Sequence, residues 1–325
     1  MTILRNLCAG IAGAILIAGA SASVAEDWPT RNVQVISMFA AGNANDIVAR
    51  IVLDQAFRQM NGSYVIENRP GAGGTIGVGE VAKADPDGYK LLLNSSTLSS
   101  QVVLHKSLPY DPARDFAPIA LFGFQPSVLV TTPQKGYKTV AELVAAAKAN
   151  PGKLNFASAG IGAASHMAAE QFRLAAKINV QHIPFRGPTE AFTQLIAGNI
   201  DYYYLPIAPA LPHIKDGKLV ALAVSTPKRA ALLPDVPTII EAGYPSAQYL
   251  FWGGIVGPAK LPRSIIDKLH AEIEKALTAP SVKENLSKQG VEIQLMSVDD
   301  FAKFARDDIA ATVKLAKEIN LAPTN

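Results

Sequence analysis

The loop of residues 158–166 holds the residues of this sequence that are best suited to binding chemistry. It reads Ser-Ala-Gly-Ile-Gly-Ala-Ala-Ser-His, follows a predicted strand and opens a predicted helix. The first backbone N–H groups of a helix have no partner within the helix and carry partial positive charge, so they suit an anion such as a carboxylate. Ser158 and Ser165 could add hydroxyl donors, and His166 is the histidine best placed to contact a ligand. A compact turn explains the same residue types equally well.

Two further small-residue loops also join a predicted strand to a predicted helix. The loop of residues 40–46 contains Asn43, Asn45 and Asp46, which are helix-capping types, and we interpret Asp46 as a helix-start or hinge residue first. The loop of residues 71–77 invites comparison with a dinucleotide-binding turn. Its third Gly is one place late for G-x-G-x-x-G, however, and no Lys-Ser/Thr follows as in a phosphate loop. We therefore favour a tight turn with close helix–sheet packing there.

The sequence contains no recognisable catalytic or metal-binding constellation. Neither H-E-x-x-H nor G-x-S-x-G occurs, and no pair of histidines has a convincing metal spacing. The histidines are His105, His166, His182, His213 and His270. Asp201 lies among tyrosines at the start of a strand and is either structural or an acceptor for a ligand or bound water. We predict a protein that is not an enzyme and that uses no cofactor or metal; the alternative is an exported hydrolase assembled from distant residues.

Strand and helix patterns alternate along most of the chain. Strands are predicted at residues 33–39, 64–67, 89–93, 154–157, 180–184, 201–205 and 220–225. Helices are predicted at residues 43–60, 76–84, 139–150, 164–176 and 190–197, followed by two long amphipathic helices near the C-terminus. Capping pairs predict helix starts at Thr139/Glu142, Thr238/Glu241 and Ser281/Glu284. The alternation predicts an α/β protein with mostly parallel sheets.

The length of the chain favours two sheets over one, because single cores tend to divide near 300 residues. The apolar segments at residues 125–131 and 249–257 are predicted to be strands that pass between two domains. The first domain is then discontinuous and consists of residues 26–125 and 250–325, with the C-terminal helices covering it. The second domain consists of residues 126–249.

The first 25 residues have the layout of a secretory signal peptide. Arg5 is their only charge, an apolar run follows, and Ser23-Val24-Ala25 supplies small residues for cleavage. Cys8 is the only cysteine, and it is not at the cleavage position of a lipoprotein. The remaining 300 residues carry 29 basic and 27 acidic residues, which is too balanced for nucleic-acid binding through overall charge. These features predict a soluble exported protein, cleaved near Ala25; an uncleaved N-terminal anchor is the alternative.

Several motifs occur in an order typical of one protein family. They are Pro29-x-Arg31-x-Val33, Ala40-Ala41-Gly42, Asp46-Ile47-Val48-Ala49-Arg50, Glu67-Asn68-Arg69-Pro70-Gly71-Ala72-Gly73-Gly74, Ala84-Asp85-Pro86-Asp87-Gly88-Tyr89, Leu108-Pro109-Tyr110-Asp111-Pro112 with Asp115-Phe116, Ser158-Ala159-Gly160, His166, His182-Ile183-Pro184-Phe185-Arg186-Gly187 and Leu233-Pro234-Asp235-Val236-Pro237-Thr238. From about Trp28 to the C-terminus, the chain resembles the Bug family of periplasmic solute-binding proteins of tripartite tricarboxylate transporters.

The resemblance implies a two-lobe periplasmic binding protein fold (type II, Venus flytrap) with the ligand between the lobes. It implies a small carboxylate ligand, such as a di- or tricarboxylate, an amino-acid-like acid or an aromatic acid, contacted in part through ordered water. The membrane subunits of a tripartite tricarboxylate-type transporter are the implied partners, and we expect a monomer. The implied ligand-binding residues are Phe39, Ala41, Gly42, Asn43, Asn45, Asp46, Ser95, Thr97, Ser158, Ala159, Gly160, Ser165, His166, Phe185, Arg186, Gly187 and Asp201.

The chain departs from the family pattern at two places in or beside the expected pocket. Asn43 replaces the usual second Gly, and Asn45 replaces the usual Thr or Ser before Asp46. Leu98 stands where the family often has His. The wall near Leu98 becomes more apolar and the two amides add polar contacts, so we expect a ligand that differs from the commonest dicarboxylates. A sensor subunit that presents its ligand to a membrane kinase would have the same sequence features.

Overall fold

The structure is a computed structural model that describes residues 28–70 and 74–323. The predicted signal peptide and cleavage site therefore lie outside the described residues, as do Gly71, Ala72 and Gly73 of the second glycine-rich loop.

The first lobe is built on a five-stranded sheet. Its strands are β1 (Val33–Ser37), β2 (Tyr64–Asn68), β3 (Lys90–Ser95), β4 (Phe116–Gln125) and β10 (Phe251–Pro258), in the order β2-β1-β3-β10-β4. β1 is parallel to β2 and β3, whereas β10 is antiparallel to both β3 and β4. The last strand of the chain thus lies inside the first sheet, which makes this lobe discontinuous in sequence.

Helices cover both faces of the first sheet. They are α1 (Ala44–Gln59), α2 (Thr75–Ala82), α3 (Ser96–Leu104), α8 (Arg263–Thr278), α9 (Pro280–Lys288) and α10 (Val298–Glu318). Buried side chains of α1, α8 and α9 form the core on one face, and those of α2, α3 and α10 form the core on the other. The C-terminal helices therefore pack on the sheet of the first lobe.

The second lobe contains β5 (Ser127–Thr131), β6 (Asn155–Ser158), β7 (Gln181–Pro184), β8 (Tyr203–Pro206) and β9 (Val220–Val224). β5 pairs with β8 and β9 in antiparallel fashion, and β6 pairs with β7 in parallel. A parallel bridge between Phe156 and Tyr202 joins the two groups into one layer. Four helices cover it: α4 (Val140–Ala149), α5 (Ala164–Ala176), α6 (Pro188–Ile196) and α7 (Ile207–Lys215).

The alternation of strands and helices is confirmed, and each lobe combines parallel strands with one antiparallel strand. β10 runs against β3 and β4 in the first lobe, and β5 runs against β8 and β9 in the second. Pro126, which has no N–H to donate to a ladder, separates β4 from β5 within the segment predicted as one strand.

Local sequence signals gave mixed results. Thr139 caps α4 by accepting a hydrogen bond from the Glu142 N–H at 3.2 Å. Thr238 and Glu241 exchange the two bonds of a capping box, yet only a turn follows. The prediction at Ser281 is wrong, because α9 already begins at Pro280. The close helix–sheet packing predicted for the loop of residues 71–77 is confirmed, because a Cβ on Gly77 would lie 2.9 Å from Ile36 Cγ2 of β1; the tight turn itself stays a prediction.

Within residues 28–70 and 74–323, no helix is both long and apolar enough to cross a membrane.

Candidate functional site

The loop of residues 158–166 lies between the lobes. It leaves the carboxyl end of β6 and contacts α3 of the first lobe, since a Cβ on Gly162 would lie only 2.2 Å from Leu104 Cδ1. β1 and β3 are parallel neighbours, so α1 and α3 both begin at the carboxyl edge of the first sheet. The loop before α5 thus meets the first lobe at the C-terminal end of α3, and the starts of α1 and α3 share one edge of the first sheet. We call the space between these elements the candidate cleft.

Ser158 is fully buried, and its hydroxyl is used within the loop. The hydroxyl donates to the Gly160 carbonyl at 3.0 Å and accepts from the Gly160 N–H at 3.1 Å. His182 Nε2 lies 2.6 Å from the same oxygen. The serine has one proton for two acceptors: when it donates to the Gly160 carbonyl, His182 Nε2 is the donor in the third contact, and in the other tautomer the serine donates to His182. Ser158 thus shapes the loop, and direct contact of its hydroxyl with a ligand stays a prediction.

Ser165 and His166 also bond to their own loop. The Ala159 N–H donates to Ser165 Oγ at 3.1 Å, and the Gly162 N–H donates to His166 Nδ1 at 3.0 Å. His166 Nδ1 must therefore be unprotonated, which fixes the neutral ring with its proton on Nε2. The side chains of Ser165 and His166 therefore accept hydrogen bonds from the loop that precedes α5 and do not cap the helix.

The start of α5 has no side-chain cap as a result. Its N-cap residue is Ala163, whose methyl group cannot accept a hydrogen bond. The first-turn N–H groups of this helix are the unpartnered kind that attracts an anion. By contrast, Asn43 caps α1 on the other lobe by accepting from the Asn45 N–H at 2.9 Å. The second lobe therefore offers the more open anion site.

Two stacked imidazoles support the loop. The rings of His166 and His182 lie 4.0 Å apart and nearly parallel, next to the ring of Phe156. Burial, followed by the charges of His182 and Arg173, lowers the pKa of His166 to about 3. Burial lowers the pKa of His182 to about 4. Both rings are thus neutral at pH 7, and the binding surface here is made of neutral donors.

Asp46 organises the loop of the first lobe. Its carboxylate accepts from the Gly42 N–H at 2.9 Å, from Asn68 Nδ2 at 2.9 Å and from the Arg50 guanidinium at 3.1 and 3.2 Å. Burial opposes ionisation, but the hydrogen bonds from Arg50, Asn68 and Gly42 outweigh it and lower the Asp46 pKa. A carboxylate with this many internal partners is a structural anchor, in agreement with the helix-start interpretation.

We expect Asp46→Asn to destabilise the protein by about 1–2 kcal/mol, because the amide can no longer accept from all of these donors. Denaturant unfolding followed by circular dichroism measures the change. Asp267→Asn is the matched control: it breaks an exposed ion pair to Arg263, which contributes about 0.5 kcal/mol or less. Equal losses in both variants would contradict the anchoring role.

The other predicted residues divide between the cleft and the rest of the molecule. Ser95 caps α3 by accepting from the Thr97 N–H at 3.1 Å, and Asn68 Nδ2 donates to the Phe39 carbonyl at 3.0 Å. Ala41 is exposed before α1. Because β7 is parallel to β6, the segment with Phe185, Arg186 and Gly187 leaves the sheet beside the loop of residues 158–166.

Asp201 lies away from this group. It accepts from the N–H of Asn155, the first residue of β6, at 2.8 Å and forms an ion pair with Lys135 at 2.8 Å. Ser158 is the last residue of the same strand, so Asp201 stands at the opposite edge of the sheet. The structure gives Asp201 a role in holding strands together and does not bring it to the cleft.

The structure adds three residues that the sequence did not single out as contacts. His182 supports Ser158, Leu104 contacts Gly162, and Gln125 donates to Asn45 Oδ1 at 2.8 Å. The family motif at residues 182–187 indicated this segment, but it did not predict that the His182 side chain contacts Ser158. Leu104 and Gln125 carried no signal, because their roles depend on contacts across about 60 and 80 residues of sequence.

Two α/β lobes with a cleft lined by helix starts define a ligand-binding protein. The family model described as Tripartite tricarboxylate transporter family receptor (TctC) matches residues 48–321, and the chain belongs to this family. It is 33% identical to BugT of Bordetella pertussis over 97% of this chain and 98% of that protein. It is 35% identical to a UPF0065 protein from the tcbD-tcbE intergenic region of Pseudomonas sp. strain P51, over 98% and 95% of the two chains. The Bug resemblance is confirmed.

Solved structures agree with the fold. An R. palustris protein solved with adipate, Rpa4515, superposes with a TM-score of 0.82 at 28% identity, covering 91% of this chain and all of that one. MatC of Rhodopseudomonas palustris, solved with malate, superposes with a TM-score of 0.77 at 31% identity, covering 89% and 99%. The periplasmic binding protein BugD gives 0.78 at 31% identity, covering 91% and 100%. The chain therefore has the two-lobe fold of these binding proteins.

Proposed function

We propose that this protein captures a small carboxylate in the periplasm and delivers it to a membrane transporter of the tripartite tricarboxylate type. The observation that carries the proposal is the uncapped start of α5. Its Ser165 and His166 are held by the Ala159 and Gly162 N–H groups, so the first N–H groups of the helix are left for an external acceptor such as water or a ligand. A ligand carboxylate supplies that acceptor and benefits from the partial positive charge.

Reversible capture explains the neutral character of the site. Amide donors bind a carboxylate without a fixed opposite charge, which favours release to a transporter. The adipate and malate held by two similar proteins indicate the size of ligand that this fold accommodates. We extend that class to this chain as acids of about four to six carbons.

Lobe closure is part of the proposal, together with the domain boundaries at residues 125/126 and 249/250. Both boundaries coincide with the passages from β4 into β5 and toward β10. The contact of Leu104 with Gly162 supports a closed arrangement in this structure. We propose that the ligand-free protein opens by rotation about these passages.

A hydrolase is the alternative that one observation favours, because Ser158 Oγ and His182 Nε2 lie 2.6 Å apart. A nucleophilic serine must give its proton to the histidine. Here the Gly160 carbonyl at 3.0 Å competes for the same proton, and the serine is completely buried, which leaves no access for a substrate. The geometry thus supports a structural pair, and we propose a non-enzymatic role.

A thermal-shift screen of mono-, di- and tricarboxylates, including aromatic acids, tests the proposal, with calorimetry on any hit. We expect a saturable rise in melting temperature with at least one acid, and a smaller radius in solution scattering when that acid is bound. No shift with any acid would refute carboxylate capture. An unchanged scattering profile at saturation would refute closure alone.

Export and the membrane partner need separate tests. We expect the intact mass of the periplasmic protein to correspond to a chain that begins at Glu26 or Asp27, whereas a membrane-bound chain that retains Met1 would refute export. Loss of uptake of the identified acid in a deletion strain would support transport. Normal uptake with loss of a transcriptional response to the acid would support a sensor subunit instead.

A further inference from the structure

Asn45 holds a buried donor without a partner at the start of α1. The residue is only 1% exposed and lies in the first turn of α1. Its Oδ1 accepts from Gln125 Nε2 at 2.8 Å, whereas its Nδ2 has no hydrogen-bond partner. An unpaired buried donor is destabilising, and a ligand oxygen that accepted from Asn45 Nδ2 would remove that penalty.

The hinge strands fix the orientation of this amide. Gln125 is the last residue of β4, is 5% exposed and pairs with Phe251 of β10. Both strands pass into the second lobe at this point. On the other side, a Cβ added to Gly253 of β10 would lie 2.9 Å from Asn45 Oδ1. Glycine at residue 253 therefore leaves space for the Asn45 amide. The hydrogen bond from Gln125 holds Oδ1 of that amide, and not Nδ2, toward the hinge strands.

We propose that Asn45 selects the ligand and that Gln125 is its positioning residue. This inference rests on the proposed function: one carboxylate of the ligand lies at the start of α5, and Asn45 Nδ2 donates to an oxygen at the other end. The site then prefers acids with a second acceptor oxygen, dicarboxylates above all. An acid that ends in a methyl group leaves Nδ2 unpaired and is discriminated against.

Adipate and hexanoate form a matched pair of probes, because both have six carbons and only adipate carries a second carboxylate. We expect the wild-type protein to prefer adipate. In Asn45→Asp, the Oδ1 acceptor for Gln125 is retained while the donor becomes a charged oxygen. Calorimetry should show a loss of adipate affinity of about a hundredfold or more, with hexanoate affinity changed by less than about threefold. Asn285→Asp, which adds the same charge at an exposed position of α9, should change neither.

Gln125→Glu tests the positioning role. A carboxylate at residue 125 offers only acceptors, so the Asn45 amide turns and donates from its Nδ2 to that carboxylate rather than to the ligand. We expect adipate affinity to fall at least tenfold with hexanoate affinity unchanged, although the ligand-contacting residue is intact. The melting temperature of the ligand-free variant should stay close to that of the wild type, because one hydrogen bond replaces another.

Three results would overturn the inference. The first is an equal loss of affinity for adipate and for hexanoate in Asn45→Asp. The second is an unchanged affinity for adipate in either variant. The third is a wild-type protein that binds the two probes with equal affinity or binds neither. The carboxylate screen decides the proposed function independently: a protein that binds other acids but fails the paired test keeps its proposed function and loses this account of selectivity.

Discussion

Acidification from pH 7 to pH 5 is expected to destabilise the folded protein by about 2 kcal/mol for each of His166 and His182. Burial lowers the pKa of His166 to about 3 and that of His182 to about 4, from an ordinary value of 6.5. Below pH 6.5, the unfolded chain therefore binds protons that the folded protein does not. The stability contributed by the neutral rings is complete above pH 6.5 and is lost as the pH falls toward 4 and then 3.

Urea unfolding at a series of pH values measures this loss, and a paired variant isolates it. His166→Asn keeps an acceptor oxygen near the position of Nδ1, and His182→Gln keeps a donor amide near the position of Nε2. The double variant is less stable at pH 7 because it loses the stacked rings. Its stability should nevertheless fall by about 4 kcal/mol less than that of the wild type between pH 7 and pH 5. Parallel pH profiles for the two proteins would contradict the assignment.

Gly162→Ala is expected to weaken ligand binding about a hundredfold, or about 2.7 kcal/mol. The added Cβ would lie 2.2 Å from Leu104 Cδ1 and 2.8 Å from Leu104 Cγ on the opposite lobe. The Leu104 side chain must then move away or the lobes must separate, and either change disturbs the closed contact. Calorimetry with the acid found in the carboxylate screen measures the loss. Solution scattering with that ligand should show a larger radius than for the wild type.

The control separates the interlobe clash from backbone strain. Gly162 has φ +75°, and Gly136 has φ +81° with no atom within 4 Å of a Cβ. Gly136→Ala should therefore show the backbone penalty of about 1–2 kcal/mol in stability without a change in affinity. Leu104→Ala in the Gly162→Ala background should restore part of the affinity. Equal affinity losses at the two glycines would refute the role of the contact.

The alternating pattern of the chain predicted the fold well, because strand and helix periodicity are local. Residues 164–176 show this most clearly, since the predicted helix and α5 have the same bounds. α3 was missed because its run of serine and threonine favours caps and turns over helix interiors. α7 was missed because Pro212 lies inside it. The mixed sheets could not be foreseen, since strand direction depends on which distant strands become neighbours.

The candidate site was predicted as a set of loops rather than as a set of contacts. Residues 158–166 were recognised from their composition, but the inward hydrogen bonds of Ser158 and His166 depend on rotamers and on His182 from another strand. Asp46 was interpreted correctly because an acid in the first turn of a helix has a local explanation. Gln125 shows the opposite case, since nothing near it in sequence indicates a bond to Asn45.

The position of β10 has a consequence for the order in which the chain can fold after synthesis. All strands of the second lobe have been synthesised by Val224, whereas the first sheet lacks the strand between β3 and β4 until residues 251–258 follow. Until then, β3 and β4 each present an unpaired edge, the kind of surface on which chains aggregate. The second lobe can thus fold first, and the first lobe is the part of the nascent protein that most needs a chaperone.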